Sequence, residues 1–388
     1  MFFSLALLAF FAIALPDAMS GVVWPFMRVT FDEPLAALSL VLPFGVAATL
    51  VSTTCWTWAA RRLGLGRLLA GSVGVSTVAL LCCAIAPAYW VIVACAVLFG
   101  LSAGAIDAAL NSYAARHFGP RQINFMHAAY GLGAAASPLI VSIVVNAGAS
   151  WRWAYLVVMV IQGALSVVFA ASSRRWNDTV TAGRSGQSSQ SPSSPDRRRW
   201  RPPPGAVVGL LVAAVDCGLE SAVGLWAFVF LLDAMTLTPG AAGLVVSGYW
   251  AALVLGRVLL GAVAERVGTW PVLAAATFLV VAAGALIVSH QPVPAAAGIV
   301  LLGLAVAPIY PLLVLTTAER TTAGSVDRLV GFQAGATTVG AVTCSSITGL
   351  IMGTNAASFA GCVLVLALLT SGGIWLLRPG QRATSTSS

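Results

Sequence analysis

One apolar stretch after another, each about the length of a bilayer crossing, decides what this chain can fold into. A helix needs roughly 20 apolar residues to span the hydrocarbon core. Stretches of that size fall at about 2–26, 35–58, 68–87, 89–114, 125–147 and 152–173, then at about 206–232, 240–263, 269–289, 294–316, 328–352 and 356–377. The apolar residues run on without alternating, which excludes a transmembrane β-barrel. Charged residues make up 8% of the chain and hydrophobic ones 59%, with a mean hydropathy of +0.94, whereas a soluble domain carries about 25% charged residues. The sequence therefore predicts an all-α membrane protein with twelve transmembrane helices.

Basic residues set the orientation. All 20 are arginine. Arg61, Arg62, Arg67, Arg116, Arg121, Arg266, Arg320, Arg328, Arg378 and Arg382 fall in loops on one side, and only Arg28 and Arg152 on the other. By the positive-inside rule both termini are cytoplasmic, in the cell inner (plasma) membrane. The net charge of +8 belongs to these loops, so it is read as topology and not as nucleic-acid binding. Residues 174–205 are rich in Ser, Pro, Gly and Arg and are expected to form a disordered cytoplasmic linker. This divides the chain into 1–173, the linker, 206–377, and a tail at 378–388. The opening MFFSLALLAFFAIALPDAM lacks the charged lead-in of a signal peptide and is read as the first span, with the hint of a misplaced start. Seven cysteines fall mostly inside spans and show neither a CxxC pair nor metal-ligand spacing, so they are expected to be small apolar core residues.

The two halves repeat each other. ARRLGLGR follows the second span and GAVAERVG the eighth. Asp17, Gly21 and Trp24 in the first span correspond to Glu220, Gly224 and Trp226 in the seventh. His127 opens HAAYGLGAAA in the fifth, and Gln333 opens QAGATTVGAV in the eleventh, where Gly340 stands one place later than Gly133 does. A repeated six-span unit is the mark of a transporter made of two bundles with its solute site near the midplane.

These residues resemble the major facilitator superfamily over essentially the whole chain. GAVAERVG at 261–268 is similar to the superfamily's G-x-x-x-[DE]-R-x-G loop, while the first-half copy has Arg61 where the family usually has an acid. Within the superfamily the chain resembles the fucose permease group of sugar–proton symporters. The features that carry this are Asp17 in the first span, Asp107 four residues before Asn111 in the fourth, and the tract from Asn124 to Pro138. YWAALVLGR at 249–257, APIYP at 307–311 and GFQAG at 331–335 add to it; Cys344 departs from it where a proline would match Pro138. The resemblance implies the major facilitator fold, proton coupling through an acid in the first helix, and a gating loop at Glu265 and Arg266.

Ionisable groups in these spans are costly, roughly 2.5–3.5 kcal/mol each on the insertion scale, and such groups are seldom kept for packing. Asp107 and Asn111 share a helix face one turn apart. A carboxyl group shielded from water favours its neutral form, and an amide offers both donor and acceptor to a polar solute. The alternative for this pair is a plain helix–helix hydrogen bond. Asp17 and Glu220 are further candidate proton carriers; Asp216, four residues from Glu220 on the same face, is a candidate to share a proton with it and is expected to be solvated from the cytoplasmic side. His127 is either a proton carrier or a neutral hydrogen-bonding residue. Gln333, with His127, Asn111, Trp226 and Trp250, is expected to contact solute, the tryptophans by stacking on sugar rings. Trp24 is placed with them, against the alternative of lipid anchoring. Arg257 in the eighth span either snorkels or pairs with an acid at the cytoplasmic gate.

The expected function is secondary transport, by proton-coupled symport of a sugar or similar small polar solute. The same fold also serves exporters of drug-like compounds. An integral membrane enzyme is the reading from another class, but no nucleophile–base motif is present. A transporter-like sensor is a further one. No Walker motif is present, so ATP is not the expected energy source. The expected partners are protons, a small polar solute and the bilayer, with no cofactor, and the chain is expected to act as a monomer.

Overall fold

A computed structural model describes residues 2–184, 205–319 and 323–378. Most of the expected linker and the tail beyond Arg378 lie outside these residues. The described chain is helical, with no strand, and has twelve helical segments long and apolar enough to cross a membrane, one of them made of two consecutive helices. Helix formation needs little explanation. In hydrocarbon every backbone N–H and C=O must be satisfied within the segment, and an α-helix does this alone.

In the first half the helices are α1 (Phe2–Phe31), α2 (Ala37–Leu63), α3 (Leu65–Ile85), α4 (Tyr89–His117), α5 (Pro120–Asn146) and α6 (Arg152–Arg184). In the second half they are α7 (Ala206–Asp233), α8 (Pro239–Val267), α9 (Thr269–Val288), α10 (Pro292–Val306), α11 (Ile309–Glu319), α12 (Ala323–Met352) and α13 (Ser358–Leu377). Two differences from the expected spans have local causes. Helix α6 continues to Arg184, past the expected end at 173, because no proline or glycine interrupts the chain between Gly163 and Gly183. The tenth span is a broken helix, α10 and α11, with a turn at Ala307–Pro308. Pro308 has no N–H to donate and its ring opposes the carbonyl one turn earlier.

The chain clusters into two compact units, residues 2–184 with 237–250, and residues 205–236 with 251–378. Within the first, α1 packs on α5, α2 on α4 and α3 on α6. Within the second, α7 packs on α12 and α9 on α13. Equivalent glycines make equivalent close approaches. A Cβ on Gly133 would collide with the Phe11 carbonyl of α1, and a Cβ on Gly340 with the Ala214 carbonyl of α7. The one-place offset between these glycines in sequence therefore leaves their packing role intact. The repeat also extends to the turns. Gly64 between α2 and α3 has φ +84°, and Gly268 between α8 and α9 has φ +92°, a region that an L side chain rarely enters. Serines bridge corresponding pairs: Ser166 Oγ donates to the Ala70 carbonyl at 3.1 Å, and Ser371 Oγ to the Thr277 carbonyl at 3.2 Å.

Arg152, one of the two arginines on the poorly charged side, has a structural role. Its Nη1 and Nη2 donate to the Ala84 and Ala86 carbonyls at 2.8 Å each, closing the C-terminus of α3, and its guanidinium lies 4.7 Å from the Trp151 ring centroid. A cation at a helix C-terminus satisfies both the unpaired carbonyls and the helix dipole.

Candidate functional site

In the first unit, the polar residues singled out from sequence come together on α1, α4 and α5. Asn111 Nδ2 donates to Asp107 Oδ1 at 2.9 Å, the contact that their one-turn spacing predicts. On α1, Asp17 Oδ2 accepts from the Tyr130 hydroxyl at 3.2 Å. Asp107 lies within electrostatic reach of both Asp17 and His127. His127 stands edge-on to Phe10, with ring centroids 5.4 Å apart. Asp17, Asp107 and His127 are all exposed, and the Tyr130 bond links the Asp17 carboxylate across α1 and α5. Tyr130 was not among the residues predicted. The available signal was its place three residues after His127, which puts both on one face of α5.

Trp250 lies against this group. It packs with Tyr130 over a floor of Ala14, Ala18 and Ala134, small residues that let α1 and α5 approach. Its ring is 5.3 Å from Tyr249 and T-shaped to it. Its Nε1 is buried without a hydrogen-bond partner among the described residues, and a donor in that position gains from any acceptor brought to it. Carboxylates, an amide, a phenol and an indole thus surround one exposed patch of the first unit. That chemistry suits a ligand bearing hydroxyls and an exchangeable proton.

The second unit holds a different group. Arg257 Nη2 contacts both oxygens of Glu220, at 3.1 Å and 3.0 Å. The sequence leaves open whether Arg257 snorkels or finds an acid; here it finds Glu220. Glu220 thus stands in an ion pair with a residue 37 positions along the chain. Asp216 is only 1% exposed, not solvated as expected, because α7 is enclosed by its neighbours at this turn.

Three more expectations are corrected by burial. Trp226 has no exposed surface, and its Nε1 donates to the Ser345 carbonyl at 2.8 Å; it fastens α7 to α12 and does not present itself to solute. Trp24 is buried in the same way, with Nε1 on the Leu35 carbonyl at 2.9 Å. Gln333 is 3% exposed and donates through Nε2 to Thr317 Oγ1 at 2.9 Å, while the Thr317 hydroxyl donates to the Leu313 carbonyl at 2.9 Å. It ties α12 to α11 where Pro308 breaks the tenth span. All three follow from which way a uniformly apolar helix is turned. Glu265 and Arg266 stand exposed in the last turn of α8.

The family model of the Major Facilitator Superfamily matches residues 6–234. The chain belongs to that superfamily. Among solved structures, a D-xylose–proton symporter superposes with a TM-score of 0.77 at 12% identity, covering 98% of each chain. A nucleoside transporter, NupG, gives 0.76 at 13% identity, covering 96% of this chain and 98% of that one. A bacterial homologue of the human lysosomal transporter Spinster, inward-facing and occupied, gives 0.72 at 12% identity over 96% of this chain and 95% of that one. At such identities the likeness establishes the fold alone: twelve transmembrane helices in the two-bundle major facilitator fold. In sequence, multidrug resistance protein B homologues from two strains of Mycobacterium tuberculosis are 32% identical over 128 residues, 32% of this chain. The match spans 23% of the length of those relatives. The chain is a multi-pass membrane protein of that superfamily.

Proposed function

We propose that this superfamily member is a proton-coupled symporter of a sugar or similar small polar solute, as in the fucose permease group that its motifs resemble. The observation that carries the reading is the exposed cluster of Asp107, Asn111, Asp17 and Tyr130 in the first unit. Proton-driven export also needs a titratable group, so what favours the symporter is the set of polar ligand contacts beside the carboxylates, Asn111 and Tyr130. Asp107 is the principal proton carrier, with Asp17 beside it; Asn111, His127 and Trp250 contact the solute. Residues 1–173 and 206–377 form the two bundles, joined through the cytoplasm by 174–205. The protein acts as a monomer in the plasma membrane with both termini inside, and Glu265 and Arg266 take part in gating on that side.

Export of a drug-like compound is the second reading, favoured by the 32% identity to multidrug resistance protein B homologues over 128 residues. Uptake into proteoliposomes decides between them. A panel of sugars and drug-like compounds is offered with and without an inward proton gradient. Gradient-driven accumulation of a sugar supports symport; gradient-driven movement of a drug-like compound against the proton flow, with no sugar uptake, overturns it.

A further inference from the structure

The group around Asp216 has a chemistry that the cluster in the first unit does not use. Asp216 is 1% exposed and its Oδ1 has no hydrogen-bond partner among the described residues. One turn along α7, Glu220 takes both contacts from Arg257 Nη2, at 3.0 and 3.1 Å. Glu220 and Arg257 are 19% and 41% exposed, so this end of the group is less enclosed than Asp216. Asp216 acts electrostatically with both of them. The other titratable groups on the packed elements include Cys217 on α7, Tyr310 on α11, Cys344 on α12, against which Gly218 packs, and Cys362 on α13; Asp233, Glu265, Arg266, Glu319, Asp327 and Arg328 stand towards the ends of α7, α8, α11 and α12, and α10 brings none. Arg257 is thus the cation within reach, and Glu220 occupies it. An ionised carboxylate buried with an orphan oxygen is far costlier than a neutral acid.

We propose that Asp216 is a second proton site, loaded while Arg257 is held by Glu220 and unloaded when Arg257 crosses to it. The exchange balances in atoms and charge. The O–H bond of Asp216 breaks, its proton passes to the Glu220 carboxylate one turn away, and the guanidinium moves from Glu220 to Asp216. One proton, two carboxyl groups and one guanidinium are present before and after, so the net charge in the membrane does not change. The proton has moved from a buried oxygen to a partly exposed one. The inference extends the proposed proton coupling to the second unit.

The test does not depend on that reading, because it needs neither solute nor transport. Infrared spectra of the purified full chain in detergent at pH 7 report protonated carboxyl groups by a C=O stretch above the amide band. The wild type minus Asp216→Asn difference should contain this band. Glu220→Gln should reduce it at least fivefold, since Arg257 is then released to Asp216, and Arg257→Gln should retain it. Circular dichroism checks that each variant is folded. If Asp216→Asn leaves the carboxylic-acid region unchanged, Asp216 is ionised and the proposal is overturned. If the band keeps its full intensity in Glu220→Gln, the exchange of partners is overturned, and that variant remains informative if Asp216→Asn does not fold.

Discussion

The Glu220–Arg257 pair should be measurably coupled, and its two partners should not be equivalent. At 3.0 Å and an effective dielectric of about 20, opposite charges attract by about 5.5 kcal/mol before desolvation is subtracted. Side-chain exposures of 19% and 41% place the pair between a surface ion pair, at about 0.2–1 kcal/mol, and a buried one, whose breaking costs about 3–5 kcal/mol. A double-mutant cycle of Glu220→Gln and Arg257→Gln should therefore return about 1–2 kcal/mol of coupling. The single changes should differ. Glu220→Gln leaves Arg257 the neighbouring Asp216, whereas Arg257→Gln leaves Glu220 ionised with no cation and a second acid one turn away. Arg257→Gln should cost the more of the two. Reversible unfolding in mixed micelles, followed by far-ultraviolet circular dichroism, measures all four corners. A coupling below about 0.5 kcal/mol would mean that water screens the pair fully, and equal single costs would remove Asp216 from the account.

Other residues give separate expectations. Trp226→Phe should lower stability by about 1 kcal/mol, because it removes the Nε1 bond that ties α7 to the Ser345 carbonyl of α12, without changing the half-saturation for solute; both are read from unfolding and uptake. Trp250→Phe should do the reverse, with little change in stability because its N–H is already unmade, and a rise in half-saturation of about fivefold, or roughly 1 kcal/mol. Arg152→Gln should lose about 1.5–3 kcal/mol through its two charge-assisted bonds to the end of α3, measured by the same unfolding assay. Gly340→Val should fail to accumulate as folded protein, since its side chain would meet the Ala214 backbone; normal yield on size-exclusion chromatography would contradict the tight α7–α12 approach.

Much of the fold is legible because hydrocarbon leaves few choices. Runs of about 20 apolar residues have to be helices, and the predicted spans coincide with the helices to within a few residues at most ends. The repeat of Gly64 with Gly268, and of Gly133 with Gly340, is legible because backbone geometry and close approach each demand glycine. The broken tenth span was present as Pro308 in APIYP, a tract read for family resemblance and not for its missing N–H. What sequence cannot supply here is helix rotation. In a helix as evenly apolar as α7, nothing in the pattern says that Trp226 faces α12 while Glu220 meets Arg257. Composition is likewise silent on pairs far apart in the chain, so the match of Glu220 with Arg257 and of Asp17 with Tyr130 appears only once the helices are packed. The i, i+4 pair of Asp107 and Asn111 is the opposite case, fixed by one helix alone.

The central claim is that Asp107 carries the coupling proton, and the substitution Asp107→Asn tests it most directly. The amide mimics the neutral acid and keeps a polar partner for Asn111. A proton drives solute only if its binding changes the relative energies of the loaded inward and outward states. In proteoliposomes given the sugar found in the uptake panel, two quantities are measured on the same preparation: exchange of labelled for unlabelled sugar without a gradient, and accumulation driven by an inward proton gradient. The account predicts that Asp107→Asn keeps exchange and loses accumulation. If the variant still concentrates the sugar to the wild-type level under the gradient, the proton travels by another residue and the central claim is wrong.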